Sequence, residues 1–145
     1  MKKYLLTPGP TMISPEVQLE MAKPIIHHRA PEFIPLMEEV RENLKWLFGS
    51  NNEVLIFASS GTGAMDGAVT NTLCKGDKAL VVDGGKFGER WANICKAYGV
   101  SAKVIKVEWG KSVDPSLVAQ ALEEDKDIKA VLIQASETST GVVHP

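Results

Sequence analysis

Cysteine is scarce here: the 145 residues hold only Cys74 and Cys95. Two are too few for a disulfide framework, and both fall in helical-looking stretches rather than loops, so a reduced, cytoplasmic setting is expected. Long apolar runs are missing as well. After Met1-Lys2-Lys3 the short run Tyr4-Leu5-Leu6 is stopped by Thr7-Pro8-Gly9-Pro10, so neither a signal peptide nor a membrane span is expected. Neither sign of charge dominates. With 16 Lys and Arg against 18 Asp and Glu, interspersed, the formal net charge is -2, which gives no reason to expect nucleic acid or an acidic membrane as partner. Repeats and low-complexity segments are absent too. What remains is an ordinary globular composition, 44% apolar and 23% charged, sufficient for one core, either as a compact domain or as part of a larger one.

Local signals then give an order of elements. Pro8, Pro10, Pro15 and Pro24 punctuate residues 1–30, which are expected to form an irregular arm with one short helix after Ser14-Pro15. From Pro31 onward Phe33, Leu36, Val40, Leu44 and Leu47 recur at helical steps and Gly49 follows as a stop, which predicts a long amphipathic helix. Strand-like runs at Val54–Ala58, Ala79–Asp83, Ala102–Glu108 and Ala130–Ala135 alternate with helical stretches at Gly63–Cys74, Gly88–Tyr98 and Leu117–Leu122. Asp114 and Pro115 supply the N-cap and first-turn proline of the last helix. Short apolar strands between helices predict an α/β fold, a mainly parallel sheet sandwiched by helices. Ligands of such sheets collect at the carboxyl ends of the strands.

Three strand-end loops draw attention there. In Ser59-Ser60-Gly61-Thr62-Gly63, small residues let successive N–H groups face one concavity at a helix start, which suits an anion such as a phosphate; a plain tight turn explains the glycines equally well. Phe87 stands between glycines in Gly84-Gly85-Lys86-Phe87-Gly88, where it either stacks on a flat ligand or covers the core edge. Trp91 is read as a packing residue of the following helix. The third loop, Ser136-Glu137-Thr138-Ser139-Thr140-Gly141, brings hydroxyls and a carboxylate to the same edge, as ligand donors or as ordinary turn chemistry.

Other readings compete. Gly61, Gly63 and Gly67 followed by Asp83 at the end of the next strand imitate a dinucleotide-binding, NAD(P)-type unit, but the spacing is GxGxxxG, and Phe87 and the third loop go unused. A non-catalytic scaffold with a phosphate pocket and a subunit interface is a further alternative. The His27-His28 pair lacks a cluster of Cys or acidic ligands at suitable spacing, so no metal is expected.

Together with "TPGPT" at residues 7–11 and "HRAPEF" at 28–33, the three loops resemble the class V aminotransferases, and more narrowly the alanine–glyoxylate and serine–pyruvate aminotransferase group. That resemblance covers almost the whole chain. It implies the first half of the large domain of a fold type I enzyme that uses pyridoxal 5'-phosphate (PLP). Residues 1–30 would be its amino-terminal arm and residues 31–145 the first part of the cofactor-binding domain. By similarity Ser60, Gly61 and Thr62 would bind the cofactor phosphate, Phe87 would stack on the pyridine ring, and Thr138 would lie near the ring oxygen. Gly9 would lie over the substrate, and His28 and Arg29 would reach the active-site mouth at the interface of a homodimer. The reaction implied is transamination between a small amino acid, alanine or serine, and a 2-oxo acid, glyoxylate or pyruvate.

In that family the covalent lysine and the aspartate that pairs with the pyridine nitrogen lie beyond the third loop. This chain is therefore expected to be the amino-terminal part of a longer enzyme, inactive by itself and with no catalytic residue of its own. Lys75, Lys78, Lys103, Lys106 and Lys129 are expected to be solvated, with unperturbed pKa values. Lys86 sits at the functional edge but in the stacking loop.

Overall fold

The computed structural model describes residues 4–145; Lys2 and Lys3 of the amino-terminal reading lie outside the described residues. The chain divides into two compact units, one ending at Ala58 and the other spanning Ser59–Pro145.

Helix formation in the first unit follows its local signals. Helix α1 is Pro15–Met21, with proline in the first turn and the Ser14 side chain accepting from the Val17 N–H, the arrangement that relieves an unpaired helix-start amide. Helix α2, Phe33–Phe48, stops at Gly49, which takes φ 60°; there Ser50 N–H donates to the Lys45 carbonyl at 3.0 Å. Lys45 Nζ bridges Glu42 at 2.9 Å and Glu53 at 2.8 Å, and Arg41 also pairs with Glu53. The amphipathic stripe of α2 is present, yet none of its residues is buried.

Val54–Ala58 corrects the sequence reading, because it forms no strand. Leu55 is 74% exposed and Phe57 78%. β-Propensity supplies a run that fits a pleat, but a strand exists only where a second chain segment completes its hydrogen-bond ladder. No such ladder is formed at this run.

The second unit carries the expected alternation. Helix α3 is Gly61–Thr72, strand β1 Lys78–Asp83, helix α4 Lys86–Ala97, strand β2 Ser101–Lys106, helix α5 Pro115–Glu124 and strand β3 Ile128–Leu132. These three strands form a parallel sheet in the order β2-β1-β3. Two helices start earlier than the spacing predicts, so Gly61, Thr62 and Phe87 lie in first turns rather than in loops. Cys74 falls past α3 in a turn and is exposed, whereas Cys95 is buried in α4. Asp114 caps α5 as expected, its carboxylate accepting from Ser116 N–H at 2.9 Å.

Strand β1 is central, and its residues Ala79 to Asp83 are all buried, so both faces of the sheet are covered there. Ala79 and Val81 join Met65, Val69, Ile94, Cys95 and Leu132 in one core cluster, each large side chain contributing roughly 1.5–3 kcal/mol when fully buried. Gly88 makes the close packing of α4 possible, because a Cβ there would lie 2.7 Å from the Val82 carbonyl oxygen. Strand β3 ends three residues sooner than expected, and Ser136–Glu137 (β4) instead pairs antiparallel with Val142–Val143 (β5). The third loop is thus the turn of a small hairpin. Among the described residues no helix is long and apolar enough to cross a membrane.

Candidate functional site

The start of α3 is chemically open. Ser60 is extended and gives the helix no side-chain cap, so the first-turn amides of Gly61 and Thr62 have no acceptor within the helix. A Cβ on Gly61 would meet nothing within 4 Å, which means that the missing side chain leaves an approach path to those amides. By contrast, a Cβ on Gly63 would collide with the Ser59 side chain; this glycine serves the turn itself.

The start of α4 is closed by a side chain from the hairpin. Glu137 is completely buried, and its Oε2 accepts from Phe87 N–H at 3.1 Å and Gly88 N–H at 2.9 Å. Its Oε1 accepts from the Ser139 hydroxyl at 2.6 Å, and Ser139 Oγ in turn accepts from Lys86 N–H at 3.0 Å. A carboxylate buried at a helix amino terminus is stabilised by the amides it accepts from and by the helix dipole. Of the two readings left open for the third loop, this carboxylate follows the structural one: it is turned inward and fastens the hairpin to α4. Gly85 makes room for it, since a Cβ there would lie 2.6 Å from the Glu137 carboxyl carbon. Phe87 is half-buried on the first turn so fixed, and Thr138 is exposed at the hairpin turn.

Arg90 joins the two helix starts. Its Nη1 donates to Thr62 Oγ1 at 2.8 Å, and its Cζ lies 5.1 Å from the centroid of the Phe87 ring. Thr62 and Phe87 are thereby brought together, within one unit, by a residue that the sequence reading passed over. Behind this edge the buried His144 accepts from Val113 N–H through Nδ1 at 3.0 Å, and its backbone N–H donates to the Ala135 carbonyl at 2.9 Å.

Several other sequence expectations meet their surroundings here. Gly9, His28 and Arg29 belong to the first unit; there the His27 and His28 rings stack at 4.5 Å, and Arg29 Nε donates to His28 Nε2 at 3.1 Å. Trp91 packs against the core cluster as read, and among the described residues its buried Nε1 has no hydrogen-bond partner. The unperturbed lysines need correction at two positions. Lys78 donates to Asp125 and Asp127 and Lys129 to Asp77, and these bonds push both ammonium pKa values up, away from a neutral amine. Lys86 pairs with Glu89 at 2.8 Å and lies 5.4 Å from the centroid of the Trp109 ring; the bond to Lys86 holds the Glu89 carboxyl below its usual range. Burial pushes the Cys95 thiol up.

Glu137 was partly findable, because paired glycines at a strand end announce a close approach by something large. Arg90 gave no such signal: Thr62 lies 28 positions away, and nothing local connects them.

Residues 3–145 match the family described as aminotransferase class-V. The soluble hydrogenase 42 kDa subunit of Anabaena cylindrica is 46% identical, with 99% of this chain and 38% of that protein covered. The serine–glyoxylate aminotransferase of Hyphomicrobium methylovorum is 41% identical over 96% of this chain and 35% of its own length. The crystal structure of alanine–glyoxylate aminotransferase from Nostoc sp. superposes with a TM-score of 0.81 at 29% identity, covering 97% of this chain and 37% of that one. The chain thus spans little more than a third of the length of these relatives, and that third has the parallel sheet and the open helix start described above. With the match running over nearly every residue, the chain belongs to the aminotransferase class-V family.

Proposed function

We propose that this chain supplies the phosphate cradle and the ring platform of a PLP-dependent aminotransferase. The observation that carries the reading is the uncapped start of α3, with its open approach at Gly61, tied through Arg90 to Phe87. These residues fit the cofactor: Ser60, Gly61 and Thr62 offer amides and hydroxyls to a phosphate, Phe87 offers a flat apolar face to the pyridine ring, and Thr138 offers a hydroxyl beside it. When bound, PLP supplies an electron sink for chemistry at an amino acid's α-carbon. The chain's own contribution is to bind and orient it.

The amino-group exchange we assign is between alanine or serine and glyoxylate or pyruvate. Support comes from the names of the similar proteins, among which serine, alanine and aspartate are amino donors and glyoxylate recurs. Gly9 and the His28-Arg29 pair are assigned to the substrate side of a homodimeric, cytoplasmic enzyme, and the covalent lysine to a part of that enzyme other than this chain. The ion-paired states of Lys78 and Lys129 support the last assignment, since both hold their protons more tightly than a free lysine.

The decisive test is Gly61→Val in the full-length enzyme. The added Cβ meets nothing within 4 Å, and the branched side chain stands in the approach to the amides, so spectrophotometric titration should show PLP affinity falling by more than about tenfold, about 1.4 kcal/mol, with an unchanged melting temperature. Equal affinity for the two proteins would remove the phosphate assignment.

A further inference from the structure

Thr62 and Phe87, assigned above to opposite ends of one cofactor, share Arg90 as a neighbour. We infer that Arg90 is a positioning residue for anion binding: by donating to Thr62 Oγ1 it turns the threonine's own proton outward, toward a phosphate at the start of α3. The inference rests on the PLP reading and deepens it. A guanidinium has donors only, so the bond from Nη1 at 2.8 Å occupies an acceptor lone pair of Thr62 and leaves the hydroxyl free to donate. Thr62, in the first turn, has no helical carbonyl four residues behind it to take its proton, unlike the later threonines of α3. Thr70 donates to the Asp66 carbonyl at 2.8 Å and Thr72 to the Ala68 carbonyl at 2.6 Å, spending their protons on the helix behind them.

Charge points the same way. Arg90 is half-buried, and among the described residues it forms no ion pair with a carboxylate. Its positive charge therefore stands beside the positive end of α3 without compensation, an arrangement that an anion stabilises. The Phe87 ring under Cζ holds the guanidinium in place by cation–π attraction.

The test compares PLP with pyridoxal, which lacks the phosphate, as ligands of the full-length apoenzyme. Arg90→Ala should weaken PLP by more than about tenfold and leave pyridoxal unchanged, with the melting temperature of the apoprotein as the check on folding. In a Thr62→Ala background the same substitution should cost less, because the part of its effect that passes through the hydroxyl is already gone and only the charge remains. Arg90→Lys, which keeps charge and one donor but loses the planar fork, should give an intermediate loss of PLP alone and decides the matter if the alanine variant does not fold. Unchanged PLP affinity, equal losses for PLP and pyridoxal, or an undiminished effect without Thr62 would each overturn the positioning role. A wild-type enzyme that does not bind PLP, or binds it regardless of Gly61→Val, overturns the cofactor reading and this inference together; normal Gly61 sensitivity with indifferent Arg90 variants overturns this inference alone.

Discussion

Phe87 shows how much one residue's place depends on groups outside it. Its backbone is held by the Glu137 carboxylate, so the residue is placed before any ligand arrives. Preorganisation of this kind reduces the ordering cost of binding. Phe87→Ala should weaken PLP binding in the full-length enzyme by about 1 kcal/mol beyond the loss of area, and Phe87→Trp should retain it. Fluorescence titration of the two variants separates these outcomes, and equal binding by all three proteins would deny the ring a stacking role. Asp77 is the counterpart in stability. Lys129 at 2.7 Å and the Cys74 N–H at 2.8 Å hold its carboxyl below the ordinary 3.8. A carboxylate depressed in the folded state stabilises it at pH values above its unfolded pKa, and that stabilisation is lost as pH falls through the folded value. Asp77→Asn should therefore lower the urea midpoint at neutral pH and flatten its decline in acid, and parallel curves for both proteins below about pH 4 would contradict the linkage.

At the scale of elements the hairpin β4–β5 and helix α4 stand or fall together. One buried carboxylate accepts from two helix amides and one hydroxyl. Glu137→Ala would leave those amides unpaired in a dry place, at a cost of about 3 kcal/mol. Urea denaturation should register that loss, and hydrogen exchange should show the hairpin amides opening before those of β1; unaltered exchange in the hairpin would mean that the clamp does not hold it. Glu137→Gln keeps an acceptor for the helix and should lose less. Capping differs between the two helix starts of the site: α4 is satisfied by a buried carboxylate, whereas α3 has no side-chain cap.

Across the whole molecule, local signals were the legible ones. Asp114-Pro115 marked the start of α5 and Gly49 the end of α2, because a cap is decided by residues adjacent in sequence. The parallel sheet was legible through alternation of apolar runs, yet Val54–Ala58 was not, since strand formation depends on a remote ladder. In the site, the small residues of Ser60-Gly61-Thr62 marked a turn into a helix but left an anion cradle and a plain tight turn equally open. Arg90 on Thr62 could not be read, and of Glu137 on α4 only the room left by the paired glycines was visible, because both contacts join segments that only folding brings together.

The exposed run Val54-Leu55-Ile56-Phe57-Ala58 has a consequence for the protein in the test tube. Leu55, Ile56 and Phe57 are exposed outside any strand, no proline interrupts the run, and Glu53 is the one charge at its edge. Such a stretch is a template for the same stretch on another molecule. The 145-residue chain should grow into larger particles as concentration rises, seen by dynamic light scattering, and Ile56→Lys should keep it monodisperse by setting like charges against each other at every new pairing. Growth of the lysine variant at the same rate would put the adhesive surface elsewhere; its suppression would mean that colloidal behaviour is governed by five residues rather than by the chain's overall charge.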